Sequence, residues 1–215
     1  MVTLIITGGD IDNDFALSYI INSEYEYLIA VDGGTEFLYK HNIKPTHIIG
    51  DFDTVSSSVL THYSKDTSIS IQKYNPCKDA TDTQLAIEQA IDFKSHEIII
   101  LGGIGSRLDH TLATIHNLCI PAKKGIKAYI INEKNRISVH YNSTKIKKNT
   151  NHKTYISLLS LGEKVEGIYL EGFKYPLTNY TLEAYNSIGI SNELTEKTGT
   201  ITFSKGILIL IEALD

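Results

Sequence analysis

The first 132 residues alternate short apolar runs of strand length with segments of helical period. Ile87 and Ala90 continue a helical stripe begun at Thr83, and Leu108 and Leu112 begin another. Such alternation predicts βαβ units and a mostly parallel sheet covered by helices. The six predicted strands are Val2–Thr7, Tyr27–Asp32, His47–Gly50, Ser68–Lys73, His96–Leu101 and Lys127–Asn132.

The pattern changes near Glu133, where the helical periodicity stops. Short apolar runs separated by glycines and polar residues follow, which is typical of an antiparallel β-sandwich or barrel. These runs are Thr154–Leu161, Val165–Glu171, Gly199–Phe203 and Gly206–Glu212. The Lys- and Asn-rich segment Asn142–Lys153 is expected to be an exposed loop or hairpin. The sequence thus predicts an α/β domain over 1–132 and an antiparallel β-sandwich over 133–215.

Composition narrows the class of protein. The 215 residues carry a net charge of -5 and are 42% hydrophobic, which suits a folded chain rather than a general nucleic-acid binder. No run approaches the roughly 20 apolar residues of a membrane helix, and no signal-peptide pattern is present. Cys77 and Cys119 are too few for a disulfide framework. We therefore expect a cytoplasmic protein without membrane or nucleic-acid partners.

Glycines, carboxylates and a few cations follow four successive strands of the predicted parallel sheet. In such sheets ligands bind outside the carboxyl ends of the strands. The segments at these ends are 32–34, 50–53, 76–82 and 101–110. The sequence therefore places its candidate chemistry along one edge of the sheet.

Asp51 and Asp53 are the first candidate metal ligands. If the segment is extended, residues two apart point the same way, so both carboxylates face one side. Magnesium prefers oxygen ligands, commonly carboxylates with substrate phosphates. Asp79 or Asp82 could complete the site from the next loop, although either one could instead cap the following helix.

The segment Gly102–His110 is a glycine-rich turn that enters a helix. Backbone N–H groups at a helix start attract phosphate, and Arg107 adds a planar donor fork. The Gly-Lys-Ser/Thr ending of a Walker loop is missing, and a tight strand-to-helix turn would explain the glycines equally well. On position alone, His110 and His116 are interpreted as structural histidines.

Together these segments resemble the motifs of thiamine pyrophosphokinases, in the family's order and over essentially the whole chain. The matching segments are Asp32-Gly33-Gly34, Gly50-Asp51-Phe52-Asp53-Thr54, Lys78-Asp79-Ala80-Thr81-Asp82, Gly105-Ser106-Arg107-Leu108-Asp109-His110, Gly172-Phe173-Lys174-Tyr175-Pro176-Leu177 and Gly189-Ile190-Ser191-Asn192-Glu193. Thr54 and Ser106 depart from the family's usual serine and glycine. The chain has no tryptophan, so Tyr175 is the candidate to stack on thiamine.

The resemblance implies a Mg²⁺-dependent transfer of diphosphate from ATP to thiamine, by a homodimer with active sites between subunits. The 1–132 domain would bind ATP and magnesium, and the 133–215 domain would bind thiamine. The implied magnesium ligands are Asp51, Asp53 and Asp82. The implied catalytic residues are Asp51, Asp53, Asp79, Asp82, Arg107 and Asp109. The implied nucleotide and phosphate contacts are Asp32, Gly33, Gly34, Lys78, Gly105, Ser106, Arg107 and His110. The implied thiamine contacts are Tyr175, Ser191 and Asn192.

Two alternatives remain open at the level of sequence. One is a different magnesium-dependent enzyme on the same scaffold, which would transfer diphosphate to another alcohol or hydrolyse a nucleotide. The other is a sensor that binds nucleotide or thiamine without turnover. A cluster of three carboxylates argues against the sensor, because binding alone rarely needs so many acids in one place. A general base is not required for such a transfer, and Asp79 or Asp109 could serve as one.

Overall fold

The computed structural model describes residues 1–75 and 80–214. The chain divides into two compact units, Met1–Glu133 and Lys134–Asp215. No helix within the described residues is both long and apolar enough to cross a membrane. Lys78 and Asp79, both candidate site residues, lie outside the described residues.

Over residues 1–75 and 80–133, the first unit has six strands and six helices. Its strands are β1 (Val2–Ile6), β2 (Tyr27–Val31), β3 (His47–Gly50), β4 (Ser70–Lys73), β5 (Glu97–Leu101) and β6 (Lys127–Ile131). Its helices are α1 (Asn13–Asn22), α2 (Gly33–Lys40), α3 (Ser57–Ser64), α4 (Asp82–Asp92), α5 (Leu108–Asn117) and α6 (Cys119–Lys123). The strands pair in parallel in the order β4-β3-β2-β1-β5-β6. The predicted mostly parallel α/β fold is confirmed.

The central strands β1, β2 and β5 are buried on both faces, which is why they occur as short continuous hydrophobic runs. Leu4, Ile5 and Ile6 of β1 are each at most 1% exposed. A strand buried on both faces cannot alternate polar with apolar residues. Ile87 and Ala90 of α4 are also buried, as their spacing predicts.

The stripe predicted after Arg107 behaves differently. The helix is present, but Leu108 and Leu112 are 71% and 57% exposed. The buried residue of α5 is Thr114, whose hydroxyl donates a 2.8 Å hydrogen bond to the carbonyl of His110. The helical spacing after Arg107 therefore predicted the helix correctly, but Leu108 and Leu112 are not among its buried residues.

The second unit contains two antiparallel sheets. Its strands are β7 (Asn135–His140), β8 (Thr144–Lys147), β9 (Thr154–Ser160), β10 (Lys164–Glu171), β11 (Tyr180–Glu183), β12 (Thr198–Thr202) and β13 (Leu208–Leu214). One sheet has the order β7-β13-β9 and the other the order β11-β10-β12-β8. Leu158 and Leu210 from the first sheet share one core cluster with Val165 and Ile201 from the second. The predicted β-sandwich is confirmed.

Three strands of the sandwich were not predicted: β7, β8 and β11. β8 lies inside the segment expected to be an exposed loop or hairpin, and of its four residues only Ile146 is buried. Its lysines point outward on an edge strand, where charged residues are common. Such a short, polar strand carries too few apolar positions to show a period of two.

Candidate active site

The strand order of the first unit fixes where a ligand should bind. The direction in which successive strands are added to the sheet changes between β1 and β5. The strands β2, β3 and β4 lie on one side of β1, and β6 lies on the other side of β5. Loops that leave two such strands turn to opposite faces and open a crevice at their carboxyl ends. The candidate residues of this unit follow β2, β3, β4 and β5 at this edge.

Asp32 follows β2 and starts the turn into α2. It has a φ of 44°, a left-handed conformation that is uncommon for a residue with a side chain. Its carboxylate approaches Gly50 so closely that a Cβ atom there would lie 2.1 Å from Oδ1 of Asp32. Glycine at position 50 therefore makes room for the Asp32 carboxylate at the end of β3.

The Asp51 to Asp53 segment is not extended. Phe52 has a φ of 65°, so the backbone turns between the two aspartates. The backbone N–H of Asp53 donates a 3.1 Å hydrogen bond to Oδ1 of Asp51, and Asp53 is exposed while Asp51 is half-buried. The expectation that both carboxylates face one side of an extended segment is wrong, because a left-handed residue between them ends the alternation.

Asp82 is the first residue of α4, but it is not the helix cap. That role belongs to Thr81, whose hydroxyl accepts a 3.2 Å hydrogen bond from the backbone N–H of Gln84. The alternative that Asp82 is present to cap the helix is therefore wrong. Its carboxylate lies instead at the positive end of the helix dipole, half-buried at the edge of the sheet.

Asp32, Asp51 and Asp82 form a carboxylate cluster. One carboxylate oxygen from each lies within 4.8 Å of the corresponding atoms of the other two, and all three residues are half-buried. Three carboxylates this close repel one another unless a cation lies between them. A hard, oxygen-ligated cation such as Mg²⁺ fits this donor set, since all three ligands are oxygens and the cluster remains open to substrate oxygens.

Two glycine turns meet beside this cluster. A Cβ atom on Gly9, after β1, would lie 2.2 Å from the carbonyl oxygen of Gly102, after β5. The backbone N–H of Gly9 instead donates a 2.9 Å hydrogen bond to that oxygen. The turn continues to Gly105, whose N–H donates to the hydroxyl of Thr111 at 3.1 Å. The residues at the carboxyl ends of β1 and β5 thus form a tightly packed loop pair at the entrance to α5.

Arg107 and Asp109 form an exposed ion pair at the start of α5. Nη2 of Arg107 lies 2.7 Å from Oδ2 of Asp109, and Nε lies 3.3 Å from Oδ1. The hydrogen bond between them raises the pKa of the Arg107 guanidinium and lowers the pKa of the Asp109 carboxyl. Surface pairs of this kind are weak, so an incoming phosphate can compete for the donor fork. Neighbouring Ser106 and His110 are also exposed.

In the second unit, Tyr175 and Asn192 are joined by two hydrogen bonds. The N–H of Tyr175 donates to Oδ1 of Asn192 at 3.0 Å, and Nδ2 of Asn192 donates to the carbonyl of Tyr175 at 2.8 Å. Asn192 is buried at 5% exposure, whereas the Tyr175 residue is 57% exposed. The buried amide therefore holds the backbone of an aromatic ring that faces solvent.

Charged and strained residues surround this pair. Nζ of Lys174 lies 2.8 Å from Oε1 of Glu193 and 5.4 Å from the centroid of the Tyr175 ring. The hydrogen bond from Lys174 lowers the pKa of the Glu193 carboxyl. Ser191 has a φ of 59°, and its N–H donates to the hydroxyl of Ser157 at 3.0 Å. A chain of polar contacts thus orders the short segment 191–193 beneath the exposed ring.

The carboxylate cluster lies at the sheet edge to which the sequence pointed, but its members differ from the three predicted ligands. The structure adds Asp32 to Asp51 and Asp82 and leaves Asp53 outside that cluster. Asp32 was predicted only as part of a nucleotide-side loop. The sequence did contain a signal for Asp32. This residue ends the second predicted strand, and parallel neighbours such as β2 and β3 bring their carboxyl ends together, so Asp32 could be expected near Gly50 and Asp51.

Comparison with known proteins gives a consistent result over both units. The model of the thiamin pyrophosphokinase catalytic domain matches residues 19–130, and that of the thiamin pyrophosphokinase vitamin B1 binding domain matches residues 143–208. A thiamine pyrophosphokinase of Bacillus subtilis (strain 168) is 34% identical over 192 residues, which cover 89% of each chain.

Solved structures agree. The crystal structure of thiamine pyrophosphokinase from Bacillus subtilis has a TM-score of 0.89 at 33% identity, with all of both chains covered. That of thiamin pyrophosphokinase from Geobacillus thermodenitrificans has a TM-score of 0.86 at 27% identity, with 100% of this chain and 98% of that chain covered. With both family models matched in order and a relative this similar over nearly its whole length, the chain belongs to the thiamin pyrophosphokinase family.

Proposed function

We propose that this chain transfers a diphosphate group from ATP to the hydroxyl of thiamine, giving thiamine diphosphate and AMP, with Mg²⁺ as the required cation. Family membership supports the reaction. The observation that carries the magnesium requirement is the cluster of Asp32, Asp51 and Asp82 at the carboxyl edge of the parallel sheet. Phosphoryl and diphosphoryl transfer depend mostly on positioning and charge neutralisation, which such a cluster serves.

We propose Asp51, Asp82 and Asp32 as the magnesium ligands; the motifs and the carboxylate cluster both support the first two, and the cluster alone supports the third. Bound there, Mg²⁺ would neutralise charge on the phosphate oxygens of ATP. Asp53 is exposed beside Asp51 and donates its N–H to that carboxylate. We propose that Asp53 acts mainly when nucleotide is present, as a further carboxylate near the bound phosphates.

The reaction balances without a covalent enzyme intermediate. The hydroxyl oxygen of thiamine forms a bond to the β-phosphorus of ATP, and the bond from that phosphorus to the α,β-bridging oxygen breaks. AMP leaves with the electron pair, and the hydroxyl proton passes to a base or to solvent. Asp79 and Asp109 are candidates for a base; Asp109 is already paired with Arg107, which lowers the pKa of Asp109 and favours its ionised form.

Arg107 and the Gly105 turn are proposed to bind the phosphates of ATP. Arg107 presents its fork at the surface, where Asp109 shields its charge until a phosphate competes for it. Lys78, Ser106 and His110 are proposed on the same side from their positions in the motif, as is the segment 32–34.

The second unit is proposed to bind thiamine. The exposed ring of Tyr175 offers a face to the cationic thiazolium or the pyrimidine, an arrangement that cation–π attraction and stacking favour. Asn192 holds the backbone of Tyr175, so its own amide is largely used inside the protein. Ser191 is the more accessible partner for a polar atom of thiamine. By this division, residues 1–132 bind ATP and magnesium, and residues 133–215 bind thiamine.

We also propose a homodimer with active sites between subunits and a location in the cytoplasm, both from the family resemblance. Sedimentation velocity at micromolar concentration tests the first, with a particle of twice the 23.9 kDa chain expected.

Product identification tests the reaction. Purified protein incubated with ATP, Mg²⁺ and thiamine should yield thiamine diphosphate by mass spectrometry, and only when all three are present. ADP with phosphate, or diphosphate on a different alcohol, would instead assign the site to another magnesium-dependent enzyme. Bound ligand with no product would identify a sensor.

A further inference from the structure

A cavity in the second unit adjoins the segment that carries Asn192, since its lining includes Glu193 and Leu194. It has a volume of about 460 Å³, within the range of small-molecule sites rather than of flat macromolecular surfaces. Its floor is formed by Ile156 and Leu194, which are 2% and 7% exposed. The 147–153 segment, which connects β8 to β9, forms its wall. The proposed function uses no side chain of this wall.

Three lysines converge on this cavity: Lys147, Lys148 and Lys153. Among residues 1–75 and 80–214, no carboxylate lies within ion-pair distance of Lys147 or Lys148. Lysines on an ordinary surface diverge into solvent, where water screens them from one another. Where several lysines line one concavity, as these exposed lysines do, their charges repel unless an anion compensates them.

The two carboxylates that line the cavity are shared with cations outside the lining, although Glu193 also interacts with Lys153 and Lys148. Oε1 of Glu212 lies 3.2 Å from Nη1 of Arg136, and Oε1 of Glu193 lies 2.8 Å from Nζ of Lys174. Oε2 of Glu193 is 3.8 Å from Nζ of Lys153, a longer contact. The lining thus retains an excess of positive charge.

Backbone contacts fix the wall in place. The N–H of Lys148 donates to the carbonyl of Lys197 at 2.9 Å, so one end of the segment is tied to the residue before β12. Oδ1 of Asn149 accepts from the N–H groups of Asn151 and His152 at 2.9 and 3.3 Å. The lysines are therefore carried by a turn with defined geometry.

We propose that this cavity binds a small anion carrying two or more negative charges, such as a phosphate or diphosphate group. Lys147, Lys148 and Lys153 would hold its oxygens. The site is formed by residues of the second unit alone. The carboxylate cluster of the first unit would itself repel such an anion without a metal ion.

Titration of the full chain with inorganic pyrophosphate and, separately, inorganic phosphate tests this proposal. EDTA is present throughout, so that magnesium-dependent binding at the carboxylate cluster does not contribute. Amide chemical shifts of 148–154 should move saturably, with tighter binding of pyrophosphate because it carries more charge. No saturable movement there would overturn the proposal.

Matched charge variants decide whether the cavity is responsible. The double variant Lys147→Gln/Lys148→Gln should weaken pyrophosphate binding by about tenfold or more, the loss expected for one charge-assisted hydrogen bond. Lys124→Gln/Lys127→Gln removes the same charge from exposed residues of the first unit and should bind as the parent does. Equal weakening in both double variants would show general charge attraction and refute the site. Lys153→Gln, on another part of the wall, should also weaken binding, and Lys148→Arg should retain it.

Discussion

The carboxylate of Asp32, at the end of β2, fills the space in which a side chain on Gly50, at the end of β3, would lie. A Cβ atom on Gly50 would lie 2.1 Å from Oδ1 of Asp32 and 3.3 Å from Cδ1 of Phe52. The smallest residue at the end of β3 thus lets a carboxylate from the end of β2 reach Asp51 and Asp82. The Asp32 carboxylate can take this position because Gly50 has no side chain.

Gly50→Ala should therefore destabilise the protein and displace Asp32. Overpacking typically lowers the free energy of unfolding by about 1–3 kcal/mol. In an Asp32→Ala background the obstructing carboxylate is gone, so most of that loss should disappear. Urea unfolding of the four proteins in this cycle measures the coupling. Equal losses in both backgrounds would show that Gly50 and Asp32 act independently.

Asp51→Asn and Asp82→Asn should each lower magnesium affinity about tenfold or more without nucleotide, because each removes a charged ligand from the cluster. Asp32→Asn should do the same. Asp53→Asn should reduce turnover by orders of magnitude while changing nucleotide-free magnesium affinity less. Calorimetric titration with MgCl₂ and steady-state assays separate the two effects. Loss of metal binding in Asp53→Asn but not in Asp32→Asn would restore the ligand set expected from sequence.

Tyr175→Ala should raise the KM for thiamine about tenfold with a smaller effect on kcat, because a stacking surface worth roughly 1 kcal/mol or more is removed. Tyr175→Phe keeps the ring and should stay near the parent value. Tyr185, which is 85% exposed, provides a control through Tyr185→Ala. If Tyr185→Ala raises the KM as much as Tyr175→Ala, the ring of Tyr175 is not a specific thiamine contact.

Thr81→Ala should lower the free energy of unfolding by about 1 kcal/mol, since the hydroxyl caps α4 through the N–H of Gln84. Ser56 is the N-cap of α3 but makes no side-chain capping bond, so Ser56→Ala should cost clearly less. Chemical denaturation of both variants makes the comparison. The reverse order would mean that the two caps are assigned wrongly.

The fold was largely predictable because its main determinants are local. Six apolar runs of strand length predict strands in the first unit, and strands buried on both faces need such runs. The failures occurred where tertiary packing decides. Leu108 and Leu112 have helical spacing, but Thr114 is the residue of α5 that becomes buried. The β8 strand shows only one buried residue and depends on its pairing with β12.

The candidate site was predictable in position but less so in detail. Asp51 and Asp82 follow from the rule that ligands bind at the carboxyl ends of parallel strands. The left-handed conformations of Asp32 and Phe52 do not follow from residue type, and they decide which carboxylates meet. Similarly, the motif marks Asn192, but only the structure shows that its amide clamps the backbone of Tyr175.

The most direct test of the central claim is phosphorus NMR of the protein with ATP, Mg²⁺ and thiamine. Thiamine diphosphate and AMP should form in equal amounts, no product should form with EDTA, and Asp51→Asn should lose orders of magnitude in turnover. ADP with inorganic phosphate, or AMP without thiamine diphosphate, would contradict the proposed transfer even if the metal site were correct.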